Sequence, residues 1–348
     1  MICNRCGKLP EMDFDQVDIY VSLPTVHHGE DFEQLLVNQF FTYEIMEGGY
    51  LVKKVNFEAF ITMMTAKVFN RIEQQDVKVL PLNDGCSLCF DSLKHYKSLY
   101  DWQAYLNGKE VAKIIDERRI KTLFQPIIHV NSGVIFGYEA LSRGIKMDGS
   151  IMNPAELFST AKTMDLMFYL DRICREGAIR AAAGKGITEK VFINFIPTAI
   201  YEPELCLRST AEVLNEVNLN AKQVVFEVVE SEKVVDYDHL NRILDYYKNK
   251  GYSTALDDIG SGHSNIEALL QLRPEYMKID AAIIRNIHLD GHKQAVLDDY
   301  IENGKRIGLT ILAEGVETVE EFDYLKSKDI DLVQGYLFGR PEEVPLRT

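Results

Sequence analysis

Carboxylates, amides and a lysine recur where apolar runs of this chain end. Glu139 closes "VIFGYEA", and Arg143 follows it by four positions. Asn194 sits in "KVFINF", Glu227 and Glu230 in "FEVVES", and Asp257 and Asp258 end "YSTALDD". Lys278 and Asp280 lie in "YMKID", Glu314 and Glu317 in "AEGVET", and Gln334 in "VQGY". A single acid at a strand end usually reads as a helix N-cap or a surface ion pair, because an unpaired buried charge is costly. A succession of them does not read that way. Acids converging on one apolar site cannot all stay ionised unless cations neutralise them. Hard oxygen donors suit Mg²⁺ or Mn²⁺ rather than a thiolate-binding metal. The adjacent pair Asp257 and Asp258 is suited to supply a carboxylate shared by two ions, and two ions can clamp the attacking and leaving oxygens of a phosphodiester. Lys278, the one cation among these acids, is placed to orient an attacking water or to take its proton. Asp280 and Glu317 read equally well as capping or supporting groups, and His263 as a loop residue.

These residues need elements that bring them together. From about residue 120 onward, eight strand-like stretches alternate with helical ones. The strands are "TLFQPII", "VIFGYEA", "KVFINF", "QVVFEVVE", "YSTALDD", "YMKID", "LTILAEGV" and "DLVQGYLF". The helical patterns include "AELFSTAKTMDLMFYLDRICREGAIRAAA" and "HLNRILDYYKNKG", the latter stopped by Gly251. This order predicts a TIM-type (β/α)8 barrel, whose strand C-termini converge on one face. An open doubly wound sheet is the alternative, although "DIGSGHSN" does not match a dinucleotide-binding fingerprint. Residues 1–90 read differently. "IYVSLPTV" is a strand, "EDFEQLLVNQFFTYEIM" a helix, "EGGYLVKKVNF" a turn and strand, and "EAFITMMTAKVFNRIEQQ" a second helix, together a small α+β domain. Residues 91–117 read as a helical connector, and 118–348 as the barrel.

A formal charge of −15 argues against nucleic-acid binding, which needs a basic footprint. No apolar run approaches the roughly 18 residues of a membrane span, and the first residues lack a signal-peptide pattern. A soluble, cytoplasmic protein is expected. The six cysteines are then thiols or metal ligands rather than disulfides. Cys3 and Cys6, with Cys86 and Cys89, form two C-x2-C pairs, the spacing of a structural Zn²⁺ site that would clip the ends of the N-terminal domain together. A redox-active thiol pair or an iron–sulfur site is the alternative. Cys174 and Cys206 read as small buried hydrophobes, and His27 and His28 as surface-loop residues, with a metal ligand as the alternative.

The motifs "QPI", "YEALSR", "INF", "EVVESE", "LDDIGSGHSN", "MKID", "AEGVET" and "QGYLFGRP", in this order over residues 118–345, resemble the EAL domain family of cyclic-di-GMP phosphodiesterases. The resemblance implies a modified TIM barrel with one antiparallel strand, and hydrolysis of cyclic-di-GMP to linear pGpG in bacterial second-messenger signalling, with two Mg²⁺ or Mn²⁺ ions per site. It implies Glu139, Asn194, Glu227 and Asp257 as ligands of a first metal, and Asp257 bridging to a second near Asp258 and Glu314. Lys278 matches the lysine that contacts the catalytic water, Gln334 the glutamine beside it, and Glu230 the acid that holds the loop after the Asp pair. Gln125, Leu141, Arg143 and Pro341 match substrate-lining positions, the arginine suited to a phosphate. A homodimer through the barrel is also implied. The loop departs from the family pattern D-D-F-G-x-G-Y-S-S at Ile259, His263 and Asn265. A non-hydrolysing cyclic-di-GMP receptor is the second reading.

Overall fold

The computed structural model describes residues 16–25, 27–82, 92–228, 237–260 and 266–347. Cys3, Cys6, Cys86, Cys89, Glu230, His263 and Asn265 lie outside the described residues. The described residues divide into two compact units, the smaller within 16–116 and 155–167, the larger within 117–154 and 168–347.

The smaller unit contains an antiparallel sheet of β1 (Val17–Ser22), β2 (Tyr43–Met46), β3 (Gly49–Val55), β4 (Lys78–Leu82) and β5 (Lys97–Ser98) in the order β2-β3-β1-β4-β5. Its helices are α1 (His27–Asn38), α2 (Phe57–Lys67), α3 (Glu73–Asp76), α4 (Leu99–Asn107), α5 (Lys109–Asp116) and most of α6 (Pro154–Thr163). β1 alternates buried and half-buried residues, as a strand with one covered face should. Asn56 caps α2 by accepting from Ala59 N–H, and Phe57 meets Trp102 of α4 edge-on at 4.8 Å. Trp102 also donates from Nε1 to Val79 O at 3.0 Å, so its one polar atom is satisfied inside the core. The α+β character is as expected, but the first helix is shorter. It ends at Asn38, where Phe40 turns left-handed (φ 58°) and Phe41 N–H returns to Leu36 O at 2.9 Å, and Tyr43–Met46 pairs with β3 as a strand. The second also stops early, at Lys67, before the separate turn of α3 that Asn70 Oδ1 caps through the Ile72 and Glu73 amides. The stretch read as a connector holds β5, α4 and α5, which belong to this unit.

The larger unit is a barrel. Its strands are β6 (Ile120–His129), β7 (Ile135–Ile145), β8 (Ile151–Met152), β9 (Lys190–Phe195), β10 (Val224–Val228), β11 (Ser253–Ile259), β12 (Tyr276–Ile279), β13 (Thr310–Ala313) and β14 (Leu332–Gln334). They run in the order β6-β14-β13-β12-β11-β10-β9-β7-β8, and pairing of β6 with β7 closes eight of them, leaving β8 on the edge of β7. Closure excludes the open-sheet alternative. β6 is antiparallel to both its neighbours, whereas β7 and β9 to β14 pair in parallel. The covering helices are α7 (Met167–Gly184), α8 (Pro203–Cys206), α9 (Arg208–Glu216), α10 (Tyr237–Asn249), α11 (Ile266–Leu272), α12 (Ala281–Ile284), α13 (Gly291–Arg306) and α14 (Val319–Ser327). The helical run expected over 155–183 is two helices. Asp165 adopts φ 58° and Leu166 N–H bonds Ala161 O at 2.8 Å, which ends α6 before α7 starts.

Period-two alternation sorts the strand residues. One set, including Ile193, Phe226, Leu256, Met277, Ile311 and Val333, packs in the large core that also takes in helix residues such as Ile179, Leu214, Ile243 and Leu297. The other set fills the barrel, where Ile127, Phe192, Val225, Ala255, Tyr276, Leu312 and Leu332 form a separate apolar cluster. Cys174 and Cys206 are buried thiols, as expected.

Candidate active site

Two residues beyond each member of that inner apolar cluster, the same strand faces carry polar groups. Phe192 leads to Asn194, Val225 to Glu227, Ala255 to Asp257, Tyr276 to Lys278, Leu312 to Glu314 and Leu332 to Gln334. On antiparallel β6 the step runs backwards, from Ile127 to Gln125, and Gln125 pairs in register with Glu139 of β7. One layer of the barrel interior is therefore apolar and the next is a ring of acids and amides around Lys278.

Lys278 Nζ lies 2.7 Å from Glu314 Oε1, 2.9 Å from Glu227 Oε1, 3.0 Å from Asp257 Oδ1 and 3.8 Å from Glu139 Oε1. Glu139 is held on both oxygens, by Asn194 Nδ2 at 3.0 Å and by Gln334 Nε2 at 2.7 Å. Gln334 Nε2 also reaches Gln125 Oε1 at 3.1 Å, and Gln125 donates to Gly339 O at 3.2 Å. Glu227 is completely buried, and neither of its oxygens accepts a hydrogen bond of good geometry among the described residues. Asp258 breaks the alternation. Its left-handed backbone (φ 56°) and a register shift between Leu256 and Ile259 put its carboxylate on the same side as that of Asp257. Asp257, Asp258 and Glu314 each offer an oxygen within 4.8 Å of the others, the geometry of a cation site.

The electrostatics follow from this crowding. Burial works against the Lys278 ammonium, but Asp257, Glu139, Glu227 and Glu314 together outweigh it and hold Lys278 well above the usual lysine range. Burial raises Glu227 and Glu314 well above the carboxylate range and also raises Asp257, with Lys278 opposing in each case. Burial, then Asp257 and Asp280, push Asp258 up to about 6. Four carboxylates against one ammonium form an excess of acid that a buried site keeps fully ionised only with added cations, and otherwise neutralises by taking up protons.

Of the remaining expected residues, Leu141 and Arg143 continue the face of Glu139 along β7. Arg143 Nη1 donates to Ser142 O at 2.9 Å, and its guanidinium is lowered by burial, with Glu139 and Tyr336 opposing. Pro341 is partly exposed just past the close approach of Gly339 to Pro126. Asp280 caps α12 through Ala282 N–H at 2.7 Å, and Glu317 pairs with Arg285 at 2.6 Å, so both act as supporting groups.

Sequence reasoning missed three features. Glu321 is wholly buried and accepts from the amides of Asn286 (2.8 Å), Glu317 (2.9 Å) and Thr318 (3.1 Å), which fixes the loop leading from Glu314. Its capping box with Thr318 was readable as T-x-x-E. Tyr336 is half exposed, with Arg340 stacked over its ring at 4.1 Å. The third is the buried Asp171–Arg175 ion pair of α7.

A sequence model of the EAL domain family matches residues 109–341. The chain is 29% identical over 238 residues to the probable cyclic di-GMP phosphodiesterase PdeG of Escherichia coli K12, covering 66% of this chain and 46% of that protein. It spans less than half the length of the curated relatives it matches. Among solved structures, a standalone versatile EAL protein from Vibrio cholerae O395, bound to c-di-GMP, is 37% identical with a TM-score of 0.60, covering 66% of this chain and 94% of that one. BlrP1 of Klebsiella pneumoniae, solved as a calcium and cy-diGMP complex, is 21% identical with a TM-score of 0.59 and covers 94% of this chain and 96% of its own, a likeness of fold. By the match over residues 109–341 and the closed barrel with its antiparallel β6, the chain belongs to the EAL domain family.

Proposed function

We propose that the chain hydrolyses one phosphodiester bond of cyclic-di-GMP to give linear pGpG, using two Mg²⁺ or Mn²⁺ ions in bacterial second-messenger signalling. The observation that carries this reading is the buried excess of carboxylate over ammonium around Lys278, with the Glu227 oxygens left without good hydrogen bonds. The donors are all hard oxygens, which fits these ions. Glu139, Asn194, Glu227 and Asp257 would hold the first, and Asp257, Asp258 and Glu314 the second. When bound, such ions polarise phosphate oxygens and lower the pKa of water. Lys278, held protonated by its acidic neighbours in the metal-free site, would orient the attacking water or, once ions neutralise those acids, take its proton. Gln334 and Asn194 hold Glu139 from opposite sides. Arg143 supplies a fork for a phosphate, and the exposed ring of Tyr336 a face for a base.

The matching relatives and structures whose names or titles mention cyclic di-GMP support this substrate. Chromatography of reactions with cyclic-di-GMP and Mg²⁺ or Mn²⁺ tests it, with Glu139→Ala as control. The expected result is pGpG from the wild type and none from the variant. Tight binding without product from the wild type establishes a receptor instead. A homodimer through the barrel and a cytoplasmic location belong to the same proposal. So does a structural zinc on Cys3, Cys6, Cys86 and Cys89, which elemental analysis before and after Cys3→Ser and Cys86→Ser checks.

A further inference from the structure

Outside the acid ring, α7 carries a buried charged pair. α7 buries Asp171 and Arg175 among apolar residues, at 3% and 0% exposure. Arg175 Nε donates to Asp171 Oδ2 at 2.8 Å, and Nη1 bonds the buried hydroxyl of Thr210 on α9. The other oxygen, Asp171 Oδ1, accepts the backbone N–H of Ile196 at 2.9 Å. Ile196 stands one residue past the end of β9 and two past Asn194, whose amide nitrogen is committed to Glu139 and whose oxygen is thereby left for a cation.

A buried ion pair rarely adds stability over apolar residues of the same size, because desolvating both charges offsets their attraction. This pair is incompletely satisfied as well. Arg175 Nη2 and the completely buried Tyr247 hydroxyl make no hydrogen bond among the described residues. Its geometry does achieve something an apolar pair cannot, since one carboxylate joins α7 to the backbone that ends β9, and one guanidinium extends the tie to α9.

We infer that Asp171, held by Arg175 and Thr210, is a positioning residue for Asn194: its bond to the Ile196 amide fixes the end of β9 and so the aim of the Asn194 side chain into the cation site. The inference rests on the reading of that site as a divalent-cation centre. Supporting groups behind metal ligands typically change affinity by about 10- to 100-fold.

Two uncharged double variants separate positioning from bulk stability. Asp171→Asn/Arg175→Met keeps an oxygen for the Ile196 amide, whereas Asp171→Leu/Arg175→Met does not. Mn²⁺ affinity, read by the electron paramagnetic resonance signal of free Mn²⁺, should stay close to wild type in the first and weaken about tenfold or more in the second. Both should melt within a few degrees of each other. Equal Mn²⁺ affinity in the two variants overturns the proposal. Amide exchange in the wild type supplies a check that needs no variant: the Ile196 N–H should be protected like those inside β9, and free exchange there overturns the proposal too. A wild type that binds no Mn²⁺ instead overturns the cation reading of the site itself, which distinguishes that failure from this one.

Discussion

The barrel interior contains two adjacent layers built by the same strands, one of them apolar through Phe192, Val225, Ala255, Leu312 and Leu332 and the other charged through Asn194, Glu227, Asp257, Glu314 and Gln334. They are separated by one period of β alternation, yet one should carry stability and the other function. The first layer is held by burial alone. The second holds four carboxylates against Lys278, so in the absence of cations some of them must take up protons.

Three perturbations test that division. The largest effect is expected for Asp257→Ala, which should lower kcat by on the order of 10²–10³. The metal-free variant should nevertheless melt no lower than the wild type, because a carboxylate raised by burial and like charge has been removed. Parallel activity assays and calorimetry check this, and a large fall in melting temperature would contradict the division. Phe192→Ala should do the reverse, costing about 3–5 kcal/mol in denaturant unfolding while the folded protein keeps most of its kcat.

The smallest effect concerns pH. In the metal-free protein, Asp258 is raised from 3.8 to about 6, so the folded state binds its proton more tightly than the unfolded chain does. Its contribution to stability is then fully present below the unfolded value and is lost as pH rises through about 6. Melting temperatures across that window should fall with rising pH more steeply in the wild type than in Asp258→Asn. Parallel profiles would place Asp258 outside the charged layer.

Much of this contrast was legible in the sequence because alternation is a local property. The eight strand segments, and the polar residues at their ends, could be read from β-branched and aromatic runs that stop at an acid or amide. Other parts depended on tertiary contacts. Nothing in "VNQFFTYEIM" marks the left-handed turn at Phe40, since an exposed aromatic in that conformation is not a helix-ending signal. Asp171 and Arg175 have the i,i+4 spacing that ordinarily means a solvated helix face, and only packing against β9 and α9 buries them. The Asp258 carboxylate lies beside that of Asp257, although strict alternation would point it away. The register shift that turns it inward is visible only in the pairing with β12.

On the proposed function, the ring around Lys278 would hold cations through charge and not through shape alone. Glu139→Gln is the sharpest test, because the amide preserves size and its oxygen still accepts from Gln334 Nε2 or Asn194 Nδ2, the other partner having to turn its amide oxygen toward the new NH₂. Turnover of cyclic-di-GMP should be measured over a Mn²⁺ titration in wild type and variant. At limiting Mn²⁺ the variant should lose nearly all activity. Near-wild-type turnover by Glu139→Gln at limiting metal would contradict it.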